Sequence, residues 1–158
     1  MARAMIPETH AAFFRDAVAK GKASDKHKLT FRIPEYLKKR MTEVSYQEGY
    51  GRMEKSRWIS DVIQEFLDPN QGPNRIIQAD DKREAIEGWK KIVVEVTLAN
   101  ERLSPDSATI SEPLRRQLWR AAIDAALYGA QQEDPVYLEI SIAHVIRAAL
   151  TWRLGRAT

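Results

Sequence analysis

The sequence predicts a mainly helical protein with a short antiparallel two-stranded β-ribbon. Residues 28–33 and 107–111 alternate polar and apolar side chains, which is the period of a half-buried strand. Pro34 and Pro113 follow these runs and suit the first turn of a helix, where a missing N–H costs nothing. Most of the remaining chain repeats apolar residues at helical spacing. These observations together favour helices packed against a ribbon.

The composition is that of a globular protein of about one domain. The chain has 158 residues, of which 44% are hydrophobic and 30% are charged, and this excludes a fully disordered chain. It has no cysteine, so disulfides and thiolate metal sites are excluded and a reducing compartment fits. No stretch approaches the roughly 20 apolar residues that cross a bilayer. We therefore expect a soluble, cytoplasmic protein with no membrane partner.

Positive charge is concentrated at the start of the chain. Residues 1–40 contain ten Lys and Arg against four Asp and Glu. Within them, residues 1–25 are predicted to form an N-terminal arm with a short helix over Pro7–Lys20. Phosphate binding depends on local potential, so this concentration is more informative than the net charge of +3.

The first unit, residues 26–68, is predicted to be a strand followed by two helices. In the strand, Leu29, Phe31 and Ile33 would face the core, while Lys28, Thr30 and Arg32 would face outward. A helix follows from Pro34 to about Tyr46, and Gln47–Arg52 is a turn with two glycines. A second helix over Glu54–Leu67 has an apolar stripe that predicts a buried face.

Residues 69–103 are interpreted as a linker and a connecting helix. Asp68–Pro73 is rich in turn residues and ends the preceding helix. Over Ala79–Leu103 the pattern is ambiguous, because Ile92, Val94, Val96 and Leu98 also fit a strand. We expect a helix over at least the first half, and a break at Ser104–Asp106.

Residues 104–158 look like a fainter second copy of the first unit. The strand 107–111 precedes a helix from Pro113 to about Tyr128, and a last helix is predicted from Asp134 to about Leu154. Four apolar positions of this last helix match the stripe of Glu54–Leu67 at a constant offset. The four tryptophans are expected to be core or interface anchors: Trp58, Trp89, Trp119 and Trp152.

This order of strand, Pro-initiated helix, Gly-containing turn and helix resembles the ribbon-helix-helix DNA-binding family. The most specific stretch is Ser56–Leu67, where a Ser is followed by apolar residues three, six, seven and eleven positions later. The resemblance implies a ribbon of two antiparallel strands that enters the major groove of double-stranded DNA. Carried over residue by residue, it makes Lys28, Thr30 and Arg32 the base-reading positions.

Further contacts are expected at the ends of the unit. The start of the second helix offers free N–H groups to a phosphate, so the candidate phosphate contacts are Lys26, His27, Arg52, Lys55 and Ser56. The second strand would present Ser107, Thr109 and Ser111 instead of basic residues, with Asp106 and Glu112 beside them. We expect this possible second ribbon to contribute little to base reading.

The functional expectation is a sequence-specific transcriptional regulator. Tandem members of the family that the chain resembles include regulators of conjugative-plasmid transfer genes and accessory proteins that bind a transfer origin, and both readings stay open. A protein–protein adaptor of antitoxin or partition type is the alternative from another class. The sequence has no P-loop, dinucleotide-binding or zinc-protease motif, so we expect no enzyme activity, cofactor or metal.

Two arrangements of the ribbon are compatible with the sequence. The strand of residues 28–33 could pair with residues 107–111 of the same chain, or with itself across a two-fold axis. The concentration of charge favours the second arrangement, because a two-fold axis would double the three reading side chains over a palindromic site. We therefore expect a homodimer built on the basic strand.

Overall fold

The computed structural model describes residues 25–75, 87–132 and 139–156. Over these residues the protein is mainly helical, with five helices and one two-stranded antiparallel sheet, as the sequence predicts. The predicted N-terminal helix and the Asp134 helix start lie outside the described residues. None of the helices in the described ranges is long and apolar enough to cross a membrane.

The sheet consists of strand β1, Lys26–Pro34, and strand β2, Leu103–Ser111. The two strands run antiparallel in one register, from Lys26 opposite Ser111 to Pro34 opposite Leu103. The alternation in the sequence predicted the faces of β1 correctly. Phe31 and Ile33 are buried, Leu29 packs against the core, and the polar residues between them are exposed.

The pairing of β1 with β2 of the same chain corrects the expectation that the basic strand pairs with itself across a two-fold axis. β2 supplies the backbone partner that a single strand lacks. It also places Ala108 and Ile110 on the buried side of the sheet, beside the apolar residues of β1. The ribbon is therefore complete within one chain.

The predicted break at Ser104–Asp106 is wrong, because these residues belong to β2. Pro105 is tolerated there since its nitrogen lies on the outer edge of the strand. Thr109, four residues further along, donates its N–H to Ser56 Oγ of a helix at 2.9 Å rather than to β1. Pro105 has the same orientation, so no hydrogen bond of the sheet is lost.

Helices α1, Glu35–Gln47, and α2, Lys55–Leu67, confirm the predicted pair after β1. Gly49 in the turn between them has a φ of 91°, a conformation that L side chains rarely adopt. Glu48 connects this turn to α2 and to the last helix of the chain through its two carboxylate oxygens. Its Oε1 accepts from Trp58 Nε1 at 2.9 Å, and its Oε2 pairs with Arg153.

Within the ambiguous segment, residues 79–86 lie outside the described part of the chain, and the described residues before Leu103, where β2 begins, contain a helix and no strand. Helix α3 spans Gly88–Leu98, so the described residues from Gly88 onward are helical, including those after Lys91 where the pattern was ambiguous. Trp89 and Val93 are the residues that α3 buries, and they lie four positions apart. The strand alternative is wrong because tertiary packing favours this helical face.

Helices α4, Glu112–Ala130, and α5, Ile142–Arg156, follow β2. The prediction of one helix from Asp134 is wrong over residues 139–141, which precede α5 and are not helical; there the N–H of Ser141 donates to His144 Nδ1 instead. Helix α5 contacts β1, α1, α2, α3 and α4, and every residue from Val145 to Leu150 is buried. A helix that is apolar on most sides belongs at the centre of a core, and α5 lies there.

One apolar core joins the elements before and after α3. Trp58 and Trp89 are buried in it, and Trp152 packs on it with its ring centroid 5.5 Å from that of Phe66. These three tryptophans are core anchors, as expected. Trp119 is not a core residue, because its side chain is 60% exposed.

Candidate nucleic-acid interface

The exposed side of the sheet brings the predicted reading residues of both strands together. We call this surface the ribbon face and define it by the outward positions of β1 and β2. Residues opposite each other in an antiparallel pair point to the same side of the sheet, which gives its eight members. They are Lys26, Lys28, Thr30 and Arg32 on β1, and Pro105, Ser107, Thr109 and Ser111 on β2.

The register pairs each cation or hydroxyl of β1 with a small residue of β2. Lys28 lies opposite Thr109, and Thr30 lies opposite Ser107. These are pairs without mutual backbone hydrogen bonds, because Thr109 N–H is directed away from β1, to Ser56. Side chains in such pairs are close together. Long basic side chains and short hydroxyls therefore alternate across the ribbon face.

The basic side chains of the ribbon face are free of ion pairs within the described part of the chain. Lys28 and Arg32 are exposed and have no carboxylate partner there. Behind them, the buried Arg147 donates its Nε to the carbonyl oxygen of Arg32 at 2.8 Å. Desolvation lowers the pKa of Arg147 below its usual value, and the charge of Arg32 lowers it further. A second guanidinium thus adds to the positive potential.

The acidic neighbours of the second strand do not lie on this surface. Asp106 occupies an inward position opposite Phe31 and forms an ion pair with Lys55. It also accepts the N–H of Ser107 at 2.8 Å. The ribbon face has no carboxylate at any of its eight positions, so Asp106 weakens its potential less than the sequence suggested.

Glu112 is likewise held by basic residues at the end of β2. Its carboxylate accepts from Arg115 Nε at 2.8 Å and from Arg116 Nε at 3.1 Å, and His27 Nε2 lies 2.5 Å from it. The hydrogen bond from Arg115 is the main reason why the pKa of Glu112 falls to about 2. The charge of this carboxylate is thus balanced within the chain.

Three of the five predicted phosphate contacts have partners inside the protein. His27 faces inward to Glu112, Lys55 is paired with Asp106, and Ser56 Oγ accepts the N–H of Thr109. Lys26 and Arg52 are exposed, on the ribbon face and on the turn before α2. The DNA-binding roles of all five stay predictions, and these two have the freest side chains.

Two residues that position the ribbon were not singled out from the sequence. Arg147 satisfies a carbonyl on the outer edge of β1, and Lys38 Nζ donates to the carbonyl oxygen of Pro105 at 2.9 Å on β2. A lone arginine within the apolar run of α5 was an available signal for Arg147. The sequence contains no such signal for Lys38, since a run of basic residues on a helix usually faces solvent.

The described part of the chain has no group of three or more His, Asp or Glu side chains that could hold a metal ion. Comparisons with protein-family models, curated proteins and solved structures found no significant match to this chain. The site is therefore interpreted from its own geometry and charge.

Proposed function

We propose that this protein is a sequence-specific double-stranded DNA-binding regulator of the ribbon-helix-helix type, which reads the major groove with its ribbon face. One observation supports this most directly. Lys28, Thr30 and Arg32 are exposed side by side on a two-stranded ribbon, and the nearby carboxylates are paired elsewhere. A two-stranded ribbon fits the major groove, where every base pair has a distinct donor and acceptor pattern.

The side chains on the two strands suit different contacts. Arg32 and Lys28 can each donate to O6 and N7 of guanine, and Thr30 can contact a base edge or a thymine methyl group. Ser107 and Thr109 on β2 can donate or accept, so they are less selective. Since the two strands differ, we expect each chain to bind a site without internal two-fold symmetry.

The repeated order of elements also supports a double ribbon-helix-helix arrangement. β1 is followed by α1 and α2, and β2 is followed by α4 and α5, with α3 between the two sets. In this proposal the second set is a degenerate copy that supplies the partner strand. It replaces the second chain that a single-copy ribbon needs.

Selection of duplexes from a random DNA pool, followed by footprinting, tests the proposal. We expect an enriched motif in which the stretch bound by one chain has no internal symmetry, protected mainly in the major groove. The position of that motif then distinguishes a regulator of transfer genes, which binds upstream of a gene, from an accessory protein, which binds beside a nick site. A pool that yields no enriched duplex would contradict sequence-specific DNA binding. The protein–protein adaptor would then be the better interpretation.

Substitution of Arg32 provides the sharper test. Arg32→Ala is expected to weaken binding to the selected site about 5- to 150-fold, since a lost bidentate base contact costs roughly 1–3 kcal/mol. Arg32→Lys keeps the charge but loses the planar fork, so it should retain non-specific binding and lose discrimination at one base pair. Fluorescence anisotropy with the selected and a scrambled duplex measures both effects.

Lys91→Ala is the matched control, because Lys91 is an exposed cation on α3. It should leave affinity nearly unchanged. Equal losses for Arg32→Ala and Lys91→Ala would mean that the protein binds DNA through net charge alone. Unchanged affinity in Arg32→Ala and Lys28→Ala together would exclude the ribbon face as the reading surface.

A further inference from the structure

Helix α4 exposes three large apolar side chains in one row. Trp119, Ile123 and Leu127 are 60%, 43% and 56% exposed, and their spacing of four residues places them on the same side of the helix. Over the same turns, the residues that α4 buries are small: Ala121, Ala122, Ala125 and Gly129. The largest apolar groups of this stretch thus face solvent. Contiguous exposed apolar groups of this kind mark interaction sites.

Charged groups of both signs lie beside this row. Arg116, Arg120 and Asp124 line a shallow depression together with Trp119 and Ile123. Within the described part of the chain, Arg120 and Asp124 have no ion pair. We call the surface of residues 116, 119, 120, 123, 124 and 127 the α4 face. It offers a cation, an anion and an apolar centre to a partner.

We propose that the α4 face binds the α4 face of a second copy of this chain, with the two helices antiparallel. A two-fold axis near Ile123 places Ile123 against Ile123 and Trp119 of each copy near Leu127 of the other. Positions on one side of an antiparallel helix pair meet the same side of the partner helix. Arg120 of each copy therefore lies near Asp124 of the other, and two equivalent ion pairs lie along one side of the apolar centre.

Charge complementarity is the reason for choosing a second copy as the occupant. A two-fold interface must be complementary to itself, and the α4 face contains both members of the required ion pair. Trp and Arg are also the residue types that contribute most at interface centres. The inference does not depend on DNA binding, because the ribbon face lies on β1 and β2.

Sedimentation equilibrium of the full chain tests the proposal. The chain mass is 18.1 kDa, and we expect twice that mass for the wild type at micromolar concentrations and above. Arg120→Asp places two carboxylates near each other across the interface, so the dissociation constant should rise at least about tenfold. The double variant Arg120→Asp/Asp124→Arg exchanges the charges and should restore association. Circular dichroism verifies that each variant is folded.

Two apolar substitutions complete the test. Ile123→Glu places two like charges at the two-fold axis and should yield a monomer. Met53→Glu is the matched control, because Met53 is 94% exposed on the turn before α2 and should leave the dimer intact. A wild type that is monomeric at every concentration would overturn the proposal, including the case in which Trp119 is covered by another part of the same chain. A folded double variant that stays monomeric would overturn it as well.

Discussion

Glu112 begins α4 directly after the last residue of β2, where a free carboxylate would oppose binding to a phosphate backbone. Arg115 and Arg116, one turn further along the helix, both donate to it. His27 of β1 approaches it from the neighbouring strand. At the scale of single residues, the negative charge of Glu112, which the sequence suggested would weaken DNA binding, is therefore compensated. Two arginines of the same helix and a histidine of the neighbouring strand contact it.

The lowered pKa of Glu112 predicts a pH dependence of stability. Its pKa is about 2 in the folded protein and near 4.5 when it is unperturbed, so the unfolded chain binds a proton first as the pH falls. The contribution of Glu112 is therefore complete above about pH 5 and is lost as the pH falls toward 2. In Glu112→Gln we expect the free energy of unfolding to fall less over this range. Urea unfolding at a series of pH values measures the difference.

Glu43→Gln is the control for this prediction, because Glu43 is an exposed carboxylate on α1. Its profile should follow that of the wild type. A Glu112→Gln profile that also follows the wild type would show that the cluster of His27, Arg115 and Arg116 does not stabilise the folded carboxylate.

At the scale of elements, both outer edges of the ribbon are partly satisfied by helices. On β2, the N–H of Thr109 donates to Ser56 Oγ, and Asp106 pairs with Lys55, so the first turn of α2 is docked along this edge. On β1, Arg147 of α5 donates to the carbonyl oxygen of Arg32. A two-stranded sheet is only marginally stable alone, and these contacts hold it against the helical core.

The contact between α2 and β2 predicts a measurable effect on stability. Ser56→Ala removes the acceptor of the Thr109 N–H and should lower the free energy of unfolding by about 0.5–1.5 kcal/mol. Ser60→Ala is the control, because the Ser60 hydroxyl donates only within α2, to the carbonyl oxygen of Ser56. Chemical unfolding compares the two variants. Equal small losses of stability in the two variants would mean that the hydrogen bond between Thr109 and Ser56 contributes nothing to stability.

Local patterns were sufficient to predict several elements, and their limits have physical causes. The faces of β1 follow from a period of two, and the buried residues of α2 follow from helical spacing. The partner of β1 could not be predicted, because alternation defines the side of a strand but not which strand it pairs with. The engagement of Lys55 and Ser56 by β2 is a contact between residues far apart in the sequence, which no local pattern indicates.

At the scale of the whole molecule, neither set of strand and helices encloses a core alone. Helix α5 packs against β1, α1 and α2 of the first set as well as α3 and α4. Phe66 of α2 meets Trp152 of α5, and Glu48 pairs with Arg153. The burial of the apolar stripe of α2 therefore depends on residues of α5, which lie far along the chain from it.

This dependence predicts that residues 1–73 do not fold alone. The fragment lacks β2, α3, α4 and α5. In it β1 therefore has no partner strand, and Ile63 lacks the helices that bury it. We expect no cooperative unfolding transition and no affinity for the selected duplex. Mixing with residues 74–158 should restore the folded signal in circular dichroism. A fragment that folds as a dimer and binds DNA unaided would contradict pairing of β1 with β2 within one chain.

The single-chain ribbon also affects how its surface can change by mutation. In a ribbon formed by two identical chains, one codon change alters both strands at once, so every new contact appears twice. Here the ribbon-face positions of β1 and β2 are encoded separately, and Thr109 can change while Lys28 opposite it stays the same. Under the proposed function, each contact with DNA would thus be gained or lost on its own, and the bound site would drift by single base pairs without loss of the whole interface.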